Sequence, residues 1–208
     1  MKDLEGKETQ GWTAGTDSQL SSIVIIARNR DRNAFNKLAD LFWGNIFRMV
    51  YYRTFSRMDA EDLTQEIFMR AFAKLPELKE PDKFKPWLYS IAVNRVRDFL
   101  RKKRLMSFLG SSKDRDTTEE FEEKETSTPS ALDAVIRKQF WAEVNRFSES
   151  LSGMERQVFL LRFMDEFTLS EIAEVLGKDE SSIKTHLYRA IDKFRRKPKL
   201  LRILREGI

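Results

Sequence analysis

The sequence predicts an all-α fold of two small helical domains joined by a flexible acidic linker, the second domain with a helix-turn-helix. Apolar residues recur every three or four positions through most of the chain, which is the spacing of one helix face. No segment keeps the alternating pattern of a β-strand. A stretch rich in acidic residues separates two helical regions. The length of 208 residues suits two small domains.

The composition argues against several kinds of chemistry. The 208 residues include no cysteine and one histidine, His186. Disulfides, thiolate or imidazole metal sites and histidine-based triads are therefore not expected. The chain has no phosphate-binding glycine loop, and residues 1–15 lack the apolar core of a signal peptide. No apolar run is long enough to cross a membrane. We expect a cytoplasmic protein that is not an enzyme and that uses no cofactor.

The first domain is predicted over residues 20–104, after a flexible tail over residues 1–19. Its helical pattern begins at Leu20 and continues into a second helix. The inward residues of that second helix are expected to be Phe35, Leu38, Leu41, Phe42, Ile46 and Met49.

A third and a fourth helix complete this domain. Asp59 has a side chain suited to an N-cap, so the third helix is predicted to begin there, and Pro76 ends it. A loop precedes Pro86, which suits the first position of a helix. That fourth helix is predicted to continue to about Arg104.

A linker is predicted over residues 105–130, because the composition changes there. Between Lys113 and Glu125 the chain has seven acidic and three basic residues and few apolar ones. The second domain is then predicted over residues 131–208. Its later helices are expected at about 155–164, 168–176 and 181–196.

The last two of these helices have the pattern of a helix-turn-helix. Gly177 can adopt the left-handed conformation of the turn between them. Ile183 and Leu187 recur at helical spacing and are expected to hold the second helix against the first. In this motif the second helix enters the major groove of DNA.

The outward face of that helix has polar and basic side chains suited to phosphates and base edges. They are Ser182, Lys184, Thr185, His186, Tyr188 and Arg189. From Lys184 to Arg205 the chain has nine basic residues and one acidic residue. We therefore predict a duplex DNA-binding surface, with a solvated basic hairpin as the alternative.

The fourth helix has a second candidate DNA surface. Its outer face combines Trp87 with Asn94, Arg97 and Arg101. Basic and aromatic side chains on one face suit single-stranded DNA, whose bases stack on aromatic rings. The alternative is that Trp87 and Tyr89 belong to the core and that the basic residues only stabilise the helix C-terminus.

Three segments, at 59–72, 84–96 and 151–163, together resemble the extracytoplasmic-function (ECF) sigma factors of bacterial RNA polymerase. The segment DAEDLTQEIFMRAF at 59–72 is similar to the family's polymerase-binding helix. The segment FKPWLYSIAVNRV at 84–96 resembles its helix for the promoter −10 element. The segment LSGMERQVFLLRF at 151–163, with the helix-turn-helix, is similar to its −35-binding domain.

The resemblance implies partners as well as residues. It implies that Asp62, Gln65, Glu66 and Arg70 bind core RNA polymerase, although their spacing alone indicates only a solvated helix face. It implies that the loop 78–84 holds a flipped base of the −10 element, beside Asn94. It also implies an anti-sigma factor as a candidate partner. Phe159, Leu160 and Phe163 are expected to face the polymerase in part.

The resemblance as a whole implies a sigma factor that binds core RNA polymerase and directs promoter recognition, DNA melting and initiation. One alternative is a helix-turn-helix repressor or activator that binds duplex operators without polymerase. That alternative gives the segments 59–72 and 84–104 no role. The other alternative is an enzyme, and no nucleophile–base pair or metal cluster in the sequence supports it.

Overall fold

A computed structural model of the chain describes residues 14–108 and 142–197. Within these ranges the chain is helical apart from turns and short connections and has no strand, which confirms the predicted all-α class. None of the helices in these two ranges has both the length and the apolar character needed to cross a membrane. The described residues form two compact units, one of 14–50 with 60–108 and the other of 51–59 with 142–197.

The first unit is built from four helices and two short 3-10 turns. The helices are α1 (Ala14–Arg28), α2 (Arg32–Thr54), α3 (Arg57–Lys74) and α4 (Phe84–Phe108), of which α2 and α3 extend into the segment 51–59. The turns Leu75–Glu77 and Pro81–Lys83 connect α3 to α4.

Aromatic rings form much of the core of the first unit. Phe35 on α2 packs edge-to-face on Phe68 and Phe72 of α3, at centroid distances of 6.5 and 4.9 Å. Phe42 of α2 meets Phe84, the first residue of α4, at 5.4 Å. Edge-to-face pairs of this kind add about 0.5–1.5 kcal/mol beyond the burial of their area. This packing fixes which faces of α3 and α4 remain in solvent.

Several sequence-based expectations for the first unit are wrong in detail. Helix α1 begins at Ala14 rather than Leu20, so part of the predicted tail is helical, and residues 1–13 lie outside the described ranges. Leu41 was expected to face inward but is 51% exposed. Asp59 is not an N-cap, because its own N–H donates to the Ser56 hydroxyl at 3.2 Å. The serine satisfies that free N–H, and α3 therefore begins before Asp59.

Helix α4 is longer than predicted at both ends. It begins at Phe84, whose buried ring anchors the first turn, and it continues to Phe108. The first four residues assigned to the linker are thus helical, and residues 109–141, with the acidic stretch, lie outside the described ranges. The boundaries of the predicted linker and domains otherwise stay predictions.

The second unit contains helical residues 142–149 followed by α5 (Gly153–Phe163), α6 (Leu169–Leu176) and α7 (Glu180–Arg195). Its core includes Phe147, Phe159 and Phe194, with the Phe147 centroid 5.1 and 5.3 Å from the other two. Phe159 and Leu160 are buried, so the expectation that they lie partly at the surface is wrong. Their neighbour Phe163 is 46% exposed.

Helices α6 and α7 form the predicted helix-turn-helix. Thr168 and Glu171 make a reciprocal capping box at the start of α6. Gly177 ends α6 with φ of 59°, in the left-handed region, and its N–H bonds the carbonyls of the last turn. Ile172 and Ile183 are fully buried on the facing sides of the two helices. These contacts confirm the expected roles of Gly177 and Ile183.

We predict that Gly177→Ala lowers the free energy of unfolding of the second unit by about 1–2 kcal/mol, because a side chain is disfavoured in the left-handed region. Apart from the adjoining residues in the chain, no heavy atom lies within 4 Å of the position that a new Cβ would take, so the cost is that of the backbone conformation alone. Gly153→Ala is the matched control, since its Cβ site is equally open and its φ is not positive. Denaturant titration of both variants checks this. Equal stability of the two would contradict it.

Candidate DNA and polymerase interfaces

The outer face of α7 presents the side chains predicted to contact duplex DNA. Lys184, Thr185, Tyr188 and Arg189 are exposed, and Ser182 and His186 are half-buried. The N-cap residue Asp179 accepts a hydrogen bond from the Ser182 N–H at 2.8 Å. Hydrogen bonds from the Ser181 hydroxyl and the Ser182 N–H lower the pKa of Asp179. The cap therefore stays ionised and fixes the first turn of the helix.

Some of these side chains already have partners within α7. Lys184 pairs with Glu180 at 2.8 Å, and Thr185 donates its hydroxyl to the Ser181 carbonyl at 3.0 Å. The Nδ1 atom of His186 is buried, so this ring is less available than its position in the sequence suggested. Tyr188 is 69% exposed. Tyr188 and Arg189 are therefore the two best-presented groups of the face.

A buried carboxylate fixes the C-terminal half of α7. Glu155, in the first turn of α5, is 5% exposed. It accepts hydrogen bonds from the Ser152 N–H at 2.9 Å and from the Lys193 ammonium at 2.6 Å. The Lys193 hydrogen bond is the main cause that lowers the pKa of Glu155. No local sequence pattern indicates this pair, because Glu155 and Lys193 lie 38 positions apart.

We predict that Lys193→Met destabilises the second unit by about 2 kcal/mol near neutral pH, because it leaves a buried carboxylate without its charged partner. The pKa of Glu155 is lower in the folded protein than in the unfolded chain. The stabilisation is therefore complete above the ordinary glutamate pKa of about 4.3 and is lost as pH falls through the lowered folded value. The difference in the free energy of unfolding between the variant and the wild type should therefore become smaller as the pH is lowered.

Unfolding measured by circular dichroism at pH 7 and at about pH 3 tests this. Arg196→Met is the control, because Arg196 forms an exposed pair with Asp192 at 2.6 Å. Exposed pairs contribute about 0–1 kcal/mol, so this variant should stay close to wild type. If Lys193→Met lowered the free energy of unfolding equally at both pH values, the proposed role of the ion pair would be contradicted.

The second candidate surface lies on α4, where the polar side chains are exposed and the aromatic side chains are partly or fully buried. Asn94, Arg97 and Arg101 are exposed, and Arg101 lies 3.6 Å from Asp98. Trp87 is half-buried, with its ring 5.7 Å from that of Phe84. Tyr89 is buried in the core. The core alternative is therefore right for Tyr89, whereas Trp87 is only partly buried.

The face of α3 predicted to bind polymerase is exposed at three of its four residues. Asp62, Gln65 and Arg70 are exposed, and Glu66 is half-buried. Glu66 accepts a hydrogen bond from Nε of Arg95 on α4 at 2.5 Å. This bond is the main cause that lowers the pKa of Glu66. Arg95 was not singled out in the sequence, and it connects the two predicted functional helices.

Next to this face is an apolar groove of about 370 Å³ between α2 and α3. Trp43 stacks on Phe68 there, at 5.5 Å and 18°. Gln65 and Met69 lie along the groove, so the polar face of α3 and the groove are continuous. No cluster of His, Cys, Asp or Glu in the described part of the chain could hold a metal ion.

Comparison with known proteins gives the family. Residues 43–105 match the family described as Sigma-70 region 2, and residues 143–194 match Sigma-70 region 4. The ECF RNA polymerase sigma factor BldN of Streptomyces coelicolor is 31% identical over 180 residues, covering 86% of this chain and 66% of BldN. A Haemophilus influenzae protein named "Probable RNA polymerase sigma factor" is 30% identical over 140 residues, or 63% of this chain and 72% of that protein. The chain belongs to the ECF sigma factors.

A solved structure agrees with this fold. The chain matches the sigma factor RpoE of Bartonella quintana, co-crystallised with the anti-sigma factor NepR, with a TM-score of 0.59 and 20% identity. The match covers 84% of this chain and 98% of that one. As a sigma factor, the protein binds core RNA polymerase and promoter DNA and directs transcription initiation. The Sigma-70 region 2 match includes α3 and nearly all of α4, and the region 4 match includes the helix-turn-helix.

Proposed function

We propose that this sigma factor divides promoter recognition among three helix faces. The solvent face of α7 binds the duplex −35 element, and α4 with the loop before it holds the melted −10 element. The solvent face of α3 binds core polymerase. The observation that carries this proposal is that each face remains exposed while its opposite face is buried in a core.

The duplex contact depends on α7 entering the major groove. Arg189 can form a bidentate contact to guanine, and Ser182 and Thr185 can donate to base or phosphate oxygens. Lys184 would exchange its bond to Glu180 for a phosphate, at little cost because both side chains are about half exposed. His186 supports this surface from a half-buried position.

The melted-strand contact uses a different chemistry. Trp87 is only partly buried and offers a ring for base stacking, which contributes about 1–3 kcal/mol per base. Asn94 has both a donor and an acceptor for a base edge. Arg97 and Arg101 are exposed about one and two turns beyond Asn94 along α4 and suit the DNA backbone.

The polymerase contact combines charge with an apolar groove. Asp62 and Glu66 provide negative charge, Arg70 provides positive charge, and Gln65 lies at the edge of the groove. An interface of this kind has an apolar centre and a polar rim. An anti-sigma factor is proposed as a further partner, because the similar RpoE structure contains one. We also propose that the protein acts in the cytoplasm, where core polymerase and DNA are, and that its action is binding rather than catalysis.

The general test is reconstitution. The purified chain is mixed with core RNA polymerase and a library of genomic promoters, and transcript 5′ ends are mapped. Start sites that depend on the chain support the proposal, and their absence would refute it.

We predict that Asp62→Asn weakens binding to core polymerase by about three- to tenfold, because an exposed charged contact contributes about 1 kcal/mol. Competition against the wild-type chain for core polymerase measures the loss. Glu77→Gln is the matched control, since Glu77 is an exposed acid of the same unit that lies in the turn after α3, outside the proposed face. Equal weakening by both variants would indicate a general charge effect.

We predict that Arg189→Ala changes the preferred base at one −35 position, because a bidentate contact to one base discriminates by about 1–3 kcal/mol. Binding to core polymerase should not change. Sequencing of transcripts from templates randomised at −35 measures the preference. Lys197→Ala is the control, because Lys197 is exposed after the end of α7 and lies outside the proposed DNA face. Loss of its charge should lower DNA binding equally for all −35 sequences.

A further inference from the structure

We propose that Met69 is an oxidation site through which hydrogen peroxide lowers the affinity of this chain for core RNA polymerase. The inference rests on the proposed function of the solvent face of α3. It adds a chemical modification that regulates this contact and that methionine sulfoxide reductases reverse.

The composition makes methionine sulfur the readiest target of a two-electron oxidant. The chain has no cysteine, so no thiolate competes for peroxide, and such oxidation falls on its seven methionines. These differ in access. Met49 is fully buried, whereas Met69 is 66% exposed. Peroxide can therefore reach the sulfur of Met69 without any unfolding of the domain.

Met69 lies where the charged face of α3 meets the apolar groove between α2 and α3. It is about one turn beyond Gln65, and both side chains line the groove together with Trp43. Trp43 is 42% exposed, so two large apolar side chains of one groove are open to solvent. An exposed apolar patch beside charged groups is typical of a protein-binding surface.

The side chain of methionine suits the centre of such a contact. It is unbranched and polarisable, so it fits irregular apolar surfaces. The centre of a protein interface is closely packed, whereas its rim is polar and wet. Met69 belongs to the apolar centre of the proposed polymerase contact, and Asp62 and Arg70 belong to its polar rim.

Oxidation changes this contact at a single atom. The Met69 sulfur attacks one oxygen of hydrogen peroxide, the O–O bond breaks, and the products are methionine sulfoxide and water. The sulfur loses two electrons and the peroxide gains them. Water satisfies the new sulfoxide oxygen in the free chain. An apolar interface offers that oxygen no donor, so its burial opposes binding.

Burial of Met69 in the complex also determines when the modification acts. A sulfur in a closely packed interface is out of reach of peroxide, so the free chain is the form that is oxidised. Peroxide therefore lowers the amount of chain that joins polymerase and leaves complexes that have already formed intact.

The experiment treats the purified full chain with hydrogen peroxide, removes the peroxide with catalase and then titrates the chain against core polymerase. Peptide mass spectrometry measures the sulfoxide at each methionine. The wild type should lose about tenfold in affinity, the order expected when a polar group is buried without a partner. Methionine sulfoxide reductases for both sulfoxide epimers should restore the affinity.

Variants of the chain assign the effect to one sulfur. Each variant is compared with itself before and after treatment, so a change in its untreated affinity cancels. Met69→Leu has no sulfur at this position and should lose nothing on treatment. Met69→Gln places a polar group there and should bind polymerase more weakly than the wild type even without peroxide. Met106→Leu is the matched control, because Met106 is 48% exposed near the end of α4, and it should lose as much as the wild type.

Two results would show that the assignment to Met69 is wrong. One is a loss on treatment in Met69→Leu as large as that of the wild type. The other is protection by Met58→Leu instead, since Met58 is 70% exposed near the start of α3 and lies outside the groove.

Asp62→Asn separates this inference from the function on which it rests. If Asp62→Asn weakens polymerase binding and full conversion of Met69 to the sulfoxide does not, the inference fails and the proposed function stands. If neither change weakens binding, the proposed polymerase face of α3 is wrong as well.

Discussion

The rest of this structure depends on one constraint, which is that each helix buries one face in a core and leaves the opposite face in solvent. A helix in a small domain must bury one face, and only the opposite face is free for a partner. In α3, burial of Ile67 and Phe68 leaves Asp62 and Arg70 in solvent. In α7, burial of Ile183 and Leu187 leaves Tyr188 and Arg189 exposed to solvent. The direction of every proposed contact is therefore fixed by packing on the other side of its helix.

Ion pairs also hold these helices in their orientations, and they differ in how much each contributes to stability. The Glu155–Lys193 bond has a carboxylate that is almost fully buried, so removing its partner is costly and the orientation of α7 depends on it. The Glu180–Lys184 pair is about half exposed on both sides and can be exchanged for a phosphate at little cost. Glu66–Arg95 lies between these cases, with 45% and 18% of the two side chains exposed. It connects the face of α3 that is proposed to bind polymerase to α4, so a partner that attracts Glu66 would also act on α4.

Local sequence patterns predicted the class of fold, the helix-turn-helix and the exposure of four of the six side chains expected to face outward on α7. They succeeded because periodicity and the turn glycine, Gly177, depend on neighbours in sequence. They failed where a contact joins distant residues. Glu66 and Arg95 are 29 positions apart, and Ser21, whose hydroxyl donates to Asp82, is 61 positions from it. The start of α3 was misplaced because Asp59 and Ser56 are both good caps, and only the backbone geometry distinguishes them.

The basic residues of α7 help to explain why DNA binding by a sigma factor depends on polymerase. From Glu180 to Lys197 the chain has six basic residues. Three of them, Lys184, Lys193 and Arg196, form ion pairs within the described part of the chain. Of the six, only Lys184 and Arg189 lie on the proposed DNA face, so counterion release gives this face little affinity for DNA of any sequence. Under the proposed function, weak binding by the α7 face means that tight and selective binding also requires the α4 face. In that proposal polymerase fixes the separation of the two faces, which raises the effective concentration of the second face once the first has bound.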